Sequence, residues 1–276
     1  MKTMKNITYL LILLAFLFSC KKHDFDINNL NGNKIGVIGH GGMGIGHTYP
    51  MNTLEGFLNA LNLGADGVEI DVQMTKDGVL VAFHDQKLEE STNLSGHIYD
   101  KTWTELVNGQ FLYPHYGNYK LIRLDDVFKS IPNQDKYTYF LDFKNFQPNK
   151  DSLYFNKLNT AIINLIDKYN LLENTYVEFK SEMLIVKLQE TRPDIKQFIY
   201  AKYDLALSLA EQYNLEGITV PIDKITIEKV QLAHSKGIMV ATFNTHSHKR
   251  NINAVEHNVD FIHTDRLKHL IGILKN

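Results

Sequence analysis

Short apolar, β-rich runs alternate along this chain with longer stretches whose apolar residues recur every three or four positions, and few folds accept that rhythm. Nine runs read as strands: 35–39, 66–72, 79–83, 139–143, 175–179, 196–200, 217–220, 238–243 and 261–263. Helical spacing occupies 53–61, 153–169, 182–190, 204–213 and 225–236. Such alternation over about 240 residues is the sequence form of a parallel α/β protein. The length suits a (β/α)8 TIM barrel, with a doubly wound open sheet as the competing architecture. Only residues 73–78 separate the second run from the third, with Lys76-Asp77-Gly78 as a turn signal. So short a connection cannot carry a parallel crossover, which needs about a dozen residues. The run 79–83 is therefore expected to turn back antiparallel, leaving eight barrel strands. The aromatic, glycine-bearing stretch after it reads as an insertion over the barrel top, spanning about 79–120 after the second barrel strand.

The front of the chain does not fit that rhythm. Lys2 and Lys5 make a short basic start, and the apolar run 9–18 that follows is too short to cross a roughly 30 Å hydrocarbon core as a helix. It has the form of a signal-peptide core. Leu17-Phe18-Ser19-Cys20 resembles a bacterial lipobox, whose cysteine receives the lipid and becomes the mature N-terminus. The expected organisation is a signal peptide at 1–19, a tether at 20–33 and one barrel domain at 34–276. Lipidation at Cys20, the chain's single cysteine, would place the protein in the bacterial cell envelope, at the periplasm or outer membrane. A plain secretory signal followed by a free cysteine is the alternative. With 29 basic against 31 acidic residues, no basic surplus exists to neutralise a nucleic-acid backbone, so no nucleic-acid partner is expected.

Barrel enzymes carry their chemistry at the C-terminal ends of the strands. Read in order, those ends are His40-Gly41-Gly42, Glu69-Ile70-Asp71, His84-Asp85 and Asp142-Phe143-Lys144. Side chains alternate faces along a strand, so Glu69 and Asp71 point the same way, as do Asp142 and Lys144. Carboxylates crowded on the inner face of a barrel repel one another, and a divalent cation resolves the conflict. Such oxygen ligands suit magnesium, calcium or manganese. His40 and His84 can take and give protons near neutral pH. With Lys144 as a further positive charge, the set suits phosphoester cleavage.

The run from Gly64 to Asp85, GADGVEIDVQMTKDGVLVAFHD, resembles the signature of glycerophosphodiester phosphodiesterases. The resemblance extends from Ile38-Gly39-His40, through Asn52 to Phe57 and Tyr139 to Lys144, to Ile262-His263-Thr264-Asp265. It implies a metal-dependent barrel enzyme that hydrolyses a small-molecule glycerophosphodiester to glycerol 3-phosphate and an alcohol. His40 and His84 would be its general acid and base, and Lys144 would bind phosphate. Glu69, Asp71 and Asp142 would hold one divalent cation, Ca2+ or Mg2+. The chain departs from the family pattern at four positions. Gly41 stands where an arginine is usual, Met51 where a glutamate is usual, Asp142 where the third ligand is usually glutamate, and Ala241 where an aromatic is common.

The glycine-rich loop 41–46 lacks the lysine and spacing of a P-loop, so it offers at most a close backbone approach to phosphate at Gly41. His47, beside the missing arginine, is a candidate for the lost positive charge, and Lys180 a candidate to face the site from its strand end. Asn52 with Glu55 reads as a helix cap, His246 and His248 as solvated residues, and Trp103, Tyr113 and Tyr116 as packing of the insertion. Two other readings stay open. One is the same chemistry on a sugar- or inositol-linked phosphodiester, motivated by Gly41 and Met51; the other is a lipid-anchored binding protein without turnover.

Overall fold

The computed structural model describes residues 25–46, 49–112, 119–148 and 152–275. Cys20, His47, Tyr113 and Tyr116 lie outside the described residues. Ten strands share one sheet: β1 (Gly36–Gly39), β2 (Gly67–Met74), β3 (Leu80–Ala82), β4 (Ile122–Arg123), β5 (Thr138–Phe143), β6 (Thr175–Phe179), β7 (Gln197–Tyr200), β8 (Gly217–Pro221), β9 (Met239–Thr245) and β10 (Phe261–Thr264). All but β3 and β4 run parallel to their neighbours, and β1 closes the ring by pairing with β10 on one side and β2 on the other. Closure makes this a (β/α)8 barrel and excludes the open sheet. β3 runs antiparallel to β2, with Gln73 opposite Val81, as the short connection required. The two-residue β4 then pairs antiparallel with β3, and its brevity left no periodicity to read.

The helices are α1 (Leu54–Leu63), α2 (Trp103–Leu106), α3 (Leu124–Ser130), α4 (Ser152–Tyr169), α5 (Glu182–Thr191), α6 (Tyr203–Tyr213), α7 (Ile227–Ser235), α8 (His248–Glu256) and α9 (Leu267–Lys275). Most of them follow a parallel strand and pack its outer face. α1 begins where the Thr53 hydroxyl accepts the Gly56 amide at 3.1 Å, and ends at Gly64 in the left-handed region. The main core lies between strands and helices, as Val68, Ile70 and Leu141 meeting Phe57, Leu158 and Ile162 illustrate.

The barrel interior is plugged mainly by aromatic side chains. Phe140 sits 5.1 Å from both Phe198 and Phe261 and 4.9 Å from Tyr176, mostly in edge or tilted geometry. Such pairs add about 0.5–1.5 kcal/mol each beyond their buried area. Ala241 is fully buried in this plug, so the aromatic bulk missing from its own position is supplied by neighbouring strands. The insertion has its own small core of Phe83, Leu88, Ile98, Leu106 and Phe111.

Residues 25–33, expected as the end of a tether, are fastened to the N-terminal ends of the strands. Asp260 Oδ1 accepts the amides of Leu30 at 2.8 Å and Asn31 at 3.0 Å, and the Asn29 side chain donates to Val259 O at 2.9 Å. Phe25 and Ile27 pack against the main core.

Candidate active site

Strand register assembles the acidic centre. Parallel pairing sets Asp142 beside Asp71 and Glu178 beside Asp142, so three neighbouring strands present one carboxylate each at the same height. Glu69, two residues before Asp71, shares its face. Ligand atoms of Glu69, Asp71 and Asp142 all lie within 4.8 Å of one another, and all three residues are buried. Burial and the neighbouring Asp71 push the Glu69 carboxyl well above its ordinary value. Burial acts the same way on Asp71, but Lys144, with help from His84 and His40, outweighs it and holds Asp71 well below the usual carboxylate range. Lys144 Nζ stands 2.8 Å from Asp71 Oδ1 and also contacts Asp142 Oδ2. Burial opposes its charge, yet the surrounding acids raise the Lys144 ammonium above its ordinary value.

These residues fit a divalent cation. Asp142 Oδ1 is buried with no hydrogen-bond partner among the described residues, and the converging donors are hard oxygens. The surrounding backbone and amides orient them. Gly41 N donates to Glu69 Oε2 at 2.8 Å, Asn52 Nδ2 donates to Asp71 Oδ2 at 2.6 Å, and Asp71 N donates to Asn52 Oδ1 at 3.0 Å. This corrects the reading of Asn52 as a helix cap. Thr53 is the cap, and Asn52, buried with φ of 61°, is a clamp on Asp71.

The two histidines line one cavity with the acids, each tied to a carboxylate. His40 Nδ1 lies 2.8 Å from Asp265 Oδ1. His84 Nδ1 lies 2.9 Å from Asp85 Oδ1, a contact that raises the His84 pKa against the opposing effect of burial. Gln73, inside β2, donates to the carbonyls of Phe83 at 3.0 Å and Asp85 at 2.8 Å, which fixes the backbone on both sides of His84. Asp265 is buried, and despite the opposing effect of that burial, its bonds to His40, His246 and the Ile45 amide bring its pKa down to about 2. His246 and His248 are both exposed at the start of α8, as their sequence context implied, and His246 Nδ1 in addition contacts Asp265 Oδ2. His248 is removed from this cluster and stacks on His269 at 3.9 Å.

A cavity of about 170 Å3 opens above the acids, lined by both histidines, Lys144 and Lys180 among others. Lys180 thus faces the site. Glu178 and His263 also line it and were not foreseen. Burial and Asp142 raise Glu178 to about 8, and burial with nearby His40 lowers His263 to about 3. The signal for Glu178 was present, since a glutamate inside the apolar run 175–179 needs a reason to be there. The loop that lacks the arginine is filled differently: a Cβ built on Gly41 would lie 2.5 Å from Met51 Cε. Met51 covers the space beside Gly41, so the two departures form one packed unit.

A closed barrel with a carboxylate trio, a lysine and two histidines at its C-terminal rim defines a hydrolase-type site for phosphorylated substrates. The sequence profile of the Glycerophosphoryl diester phosphodiesterase family matches residues 43–269, and the chain belongs to that family. A glycerophosphodiester phosphodiesterase of Bacillus altitudinis is 26% identical over 230 residues, which cover 79% of this chain and 89% of the relative. Another, from Bacillus subtilis, is 23% identical over 253 residues, 85% of each chain. The fold resembles that of an Oleispira antarctica phosphodiesterase solved with its product sn-glycerol-3-phosphate. The TM-score is 0.78 at 18% identity, covering 90% of this chain and 100% of that one.

Proposed function

We propose that the protein is a metal-dependent phosphodiesterase that hydrolyses glycerophosphodiesters to glycerol 3-phosphate and an alcohol. The observation that carries this is the convergence of the buried carboxylate trio with two histidines that are each oriented by an aspartate. A divalent cation held by Glu69, Asp71 and Asp142, with Mg2+ and Ca2+ the candidates, supplies charge neutralisation for the phosphoryl oxygens. Lys144 adds a fixed positive charge for a non-bridging oxygen. Ionised Asp265 accepts the Nδ1 proton of His40, which leaves Nε2 with its lone pair to take a proton from the attacking hydroxyl. Asp85 shifts the His84 pKa upward and so favours the protonated form, the one able to give a proton to the departing alkoxide. One P–O bond forms to the nucleophile, one breaks to the alcohol, and the proton removed at His40 is balanced by the one delivered at His84.

The test is turnover of glycerophosphocholine and glycerophosphoinositol by the protein lacking residues 1–20, with and without chelator, beside His40→Ala and His84→Ala. Loss of at least about 100-fold in kcat in each variant is expected. Activity that survives both substitutions, or thorough chelation, refutes the mechanism.

Lipidation at Cys20 would carry a consequence for substrate. Phe25 is already packed on the barrel, and the five residues from Cys20 to Phe25 span at most about 18 Å. The anchor would then leave from the barrel end opposite the catalytic rim and hold the site away from the bilayer, which favours soluble diesters over intact lipids. Cys20→Ala should release the protein from the membrane fraction without changing kcat. Retention of that variant in the membrane fraction argues against the anchor.

A further inference from the structure

The catalytic cavity shares lining residues with two further pockets. Toward the insertion lies a pocket of about 250 Å3 with an apolar lining that includes Met51, Phe83 and Phe111. Toward the C-terminal ends of β6, β7 and β8 lies a larger cleft of about 780 Å3, which shares Lys180 and Tyr200 with the catalytic cavity. Tyr200 is the partition between them. Its ring meets Phe243 edge-on at 5.1 Å, and Lys180 Nζ lies 4.3 Å from its centroid, so that ammonium stands at the junction.

The cleft is basic on a chain that is not. Lys202, Lys224 and Lys229 line it together with Lys180, against two carboxylates, Asp204 and Asp223. The whole protein has a formal net charge of −2, so this surplus is local. Lys224 is 3.3 Å from Asp223, and Lys229 Nζ donates to Lys224 O at 3.0 Å. Among the described residues no carboxylate lies within ion-pair distance of Lys180 or Lys202. A phosphodiester has two arms. The smaller pocket, which has His84, Asp85 and Ser91 in its lining, suits the compact glyceryl arm and its two hydroxyls, and the larger cleft suits the departing alcohol.

Resting on the phosphodiesterase reading above, we propose that the lysine-lined cleft binds a second anionic group on the substrate's alcohol arm. The preferred substrates are then glycerophosphodiesters whose headgroup carries its own phosphate. Several lysines around a half-enclosed cleft attract a dianion through summed, salt-sensitive terms, each modest alone. Neutral and cationic headgroups gain nothing from them.

Two probes that differ only in that group give the test: glycerophosphoinositol and glycerophosphoinositol 4-phosphate. In the wild type, kcat/KM is expected to favour the phosphorylated diester by about 10-fold or more at low salt and to lose that advantage near 1 M salt. In Lys202→Gln/Lys224→Gln the ratio should fall toward unity. Equal kcat/KM in the wild type, or a ratio unmoved in the variant, overturns the proposal. Binding of free inositol 4-phosphate, measured by calorimetry beside inositol, needs no turnover. Tight binding that weakens about 10-fold in the double variant supports the subsite even if neither diester is cleaved, an outcome that would sink the hydrolase reading alone. No binding of inositol 4-phosphate overturns the subsite whatever the kinetics.

Discussion

At Gly41 the backbone takes φ of 53° and its amide holds Glu69, while Met51 occupies the space a side chain would need. Gly41→Ala is expected to cost about 1–3 kcal/mol by urea unfolding, from left-handed strain and the contact with Met51. Met51→Ala should recover part of that loss in the double variant, because the two residues share one space. His84 invites a pH measurement. Its hydrogen bond to Asp85 raises its pKa, so the protonated acid persists to higher pH than an unpartnered histidine would allow. Removing the carboxylate in Asp85→Asn lowers that pKa. The basic limb of the kcat/KM profile should then move to lower pH, and a limb that stays in place would show that His84 is not the acid. Both histidines and the trio were legible as residue types at strand ends. Asn52 was not, because nothing in its neighbours distinguishes an amide that caps a helix from one that reaches across to Asp71.

The antiparallel β2–β3 excursion is the element that presents His84, and Gln73 is its internal brace. In Gln73→Leu the carbonyls of Phe83 and Asp85 lose their donor, at a cost of about 1–3 kcal/mol. A drop in kcat larger than the drop in stability explains is expected, read by comparing turnover at 10 °C with urea unfolding. The excursion was readable because six residues cannot cross a barrel. β4, α3 and α8 were not, since two or seven residues hold too little periodicity and α8 is dominated by polar residues, with buried Asn251 bonded to Thr264. Its place is set by the site loop it supports.

For the whole molecule, a cation bound by the folded trio and absent from the unfolded chain stabilises by mass action, about 2.7 kcal/mol at a hundredfold excess over its Kd. Calorimetry should show a rise of several degrees on adding Mg2+ or Ca2+, lost in Asp71→Asn and on chelation. Stability should also fall on acidification. His263 is buried and neutral with a pKa near 3, against 6.5 for a free histidine. Between those values the unfolded chain binds a proton that the folded one does not, so stability falls with decreasing pH, by up to about 1.4 kcal/mol per unit. His263→Leu should flatten that slope.

Legible in the chain alone were the parallel α/β alternation, the backward turn at 79–83 and the candidate metal and acid/base residues. Each depends on spacing within a few residues: the two-residue alternation of Glu69 and Asp71, a connection too short to cross, and chemistry gathered at strand ends. Closure of the ring, which excludes an open sheet, came from the pairing of β1 with both β2 and β10. The tertiary structure decided what closure and register bring together across distant positions. Glu178 reaches the site because β6 pairs with β5, and Asp265 orients His40 because β10 returns beside β1. The aromatic plug around Ala241 likewise belongs to several strands at once, and the lysines near Tyr200 to the segments that follow β6, β7 and β8. A periodic pattern records which way a side chain faces, while its neighbour across the barrel is set by the register of another strand.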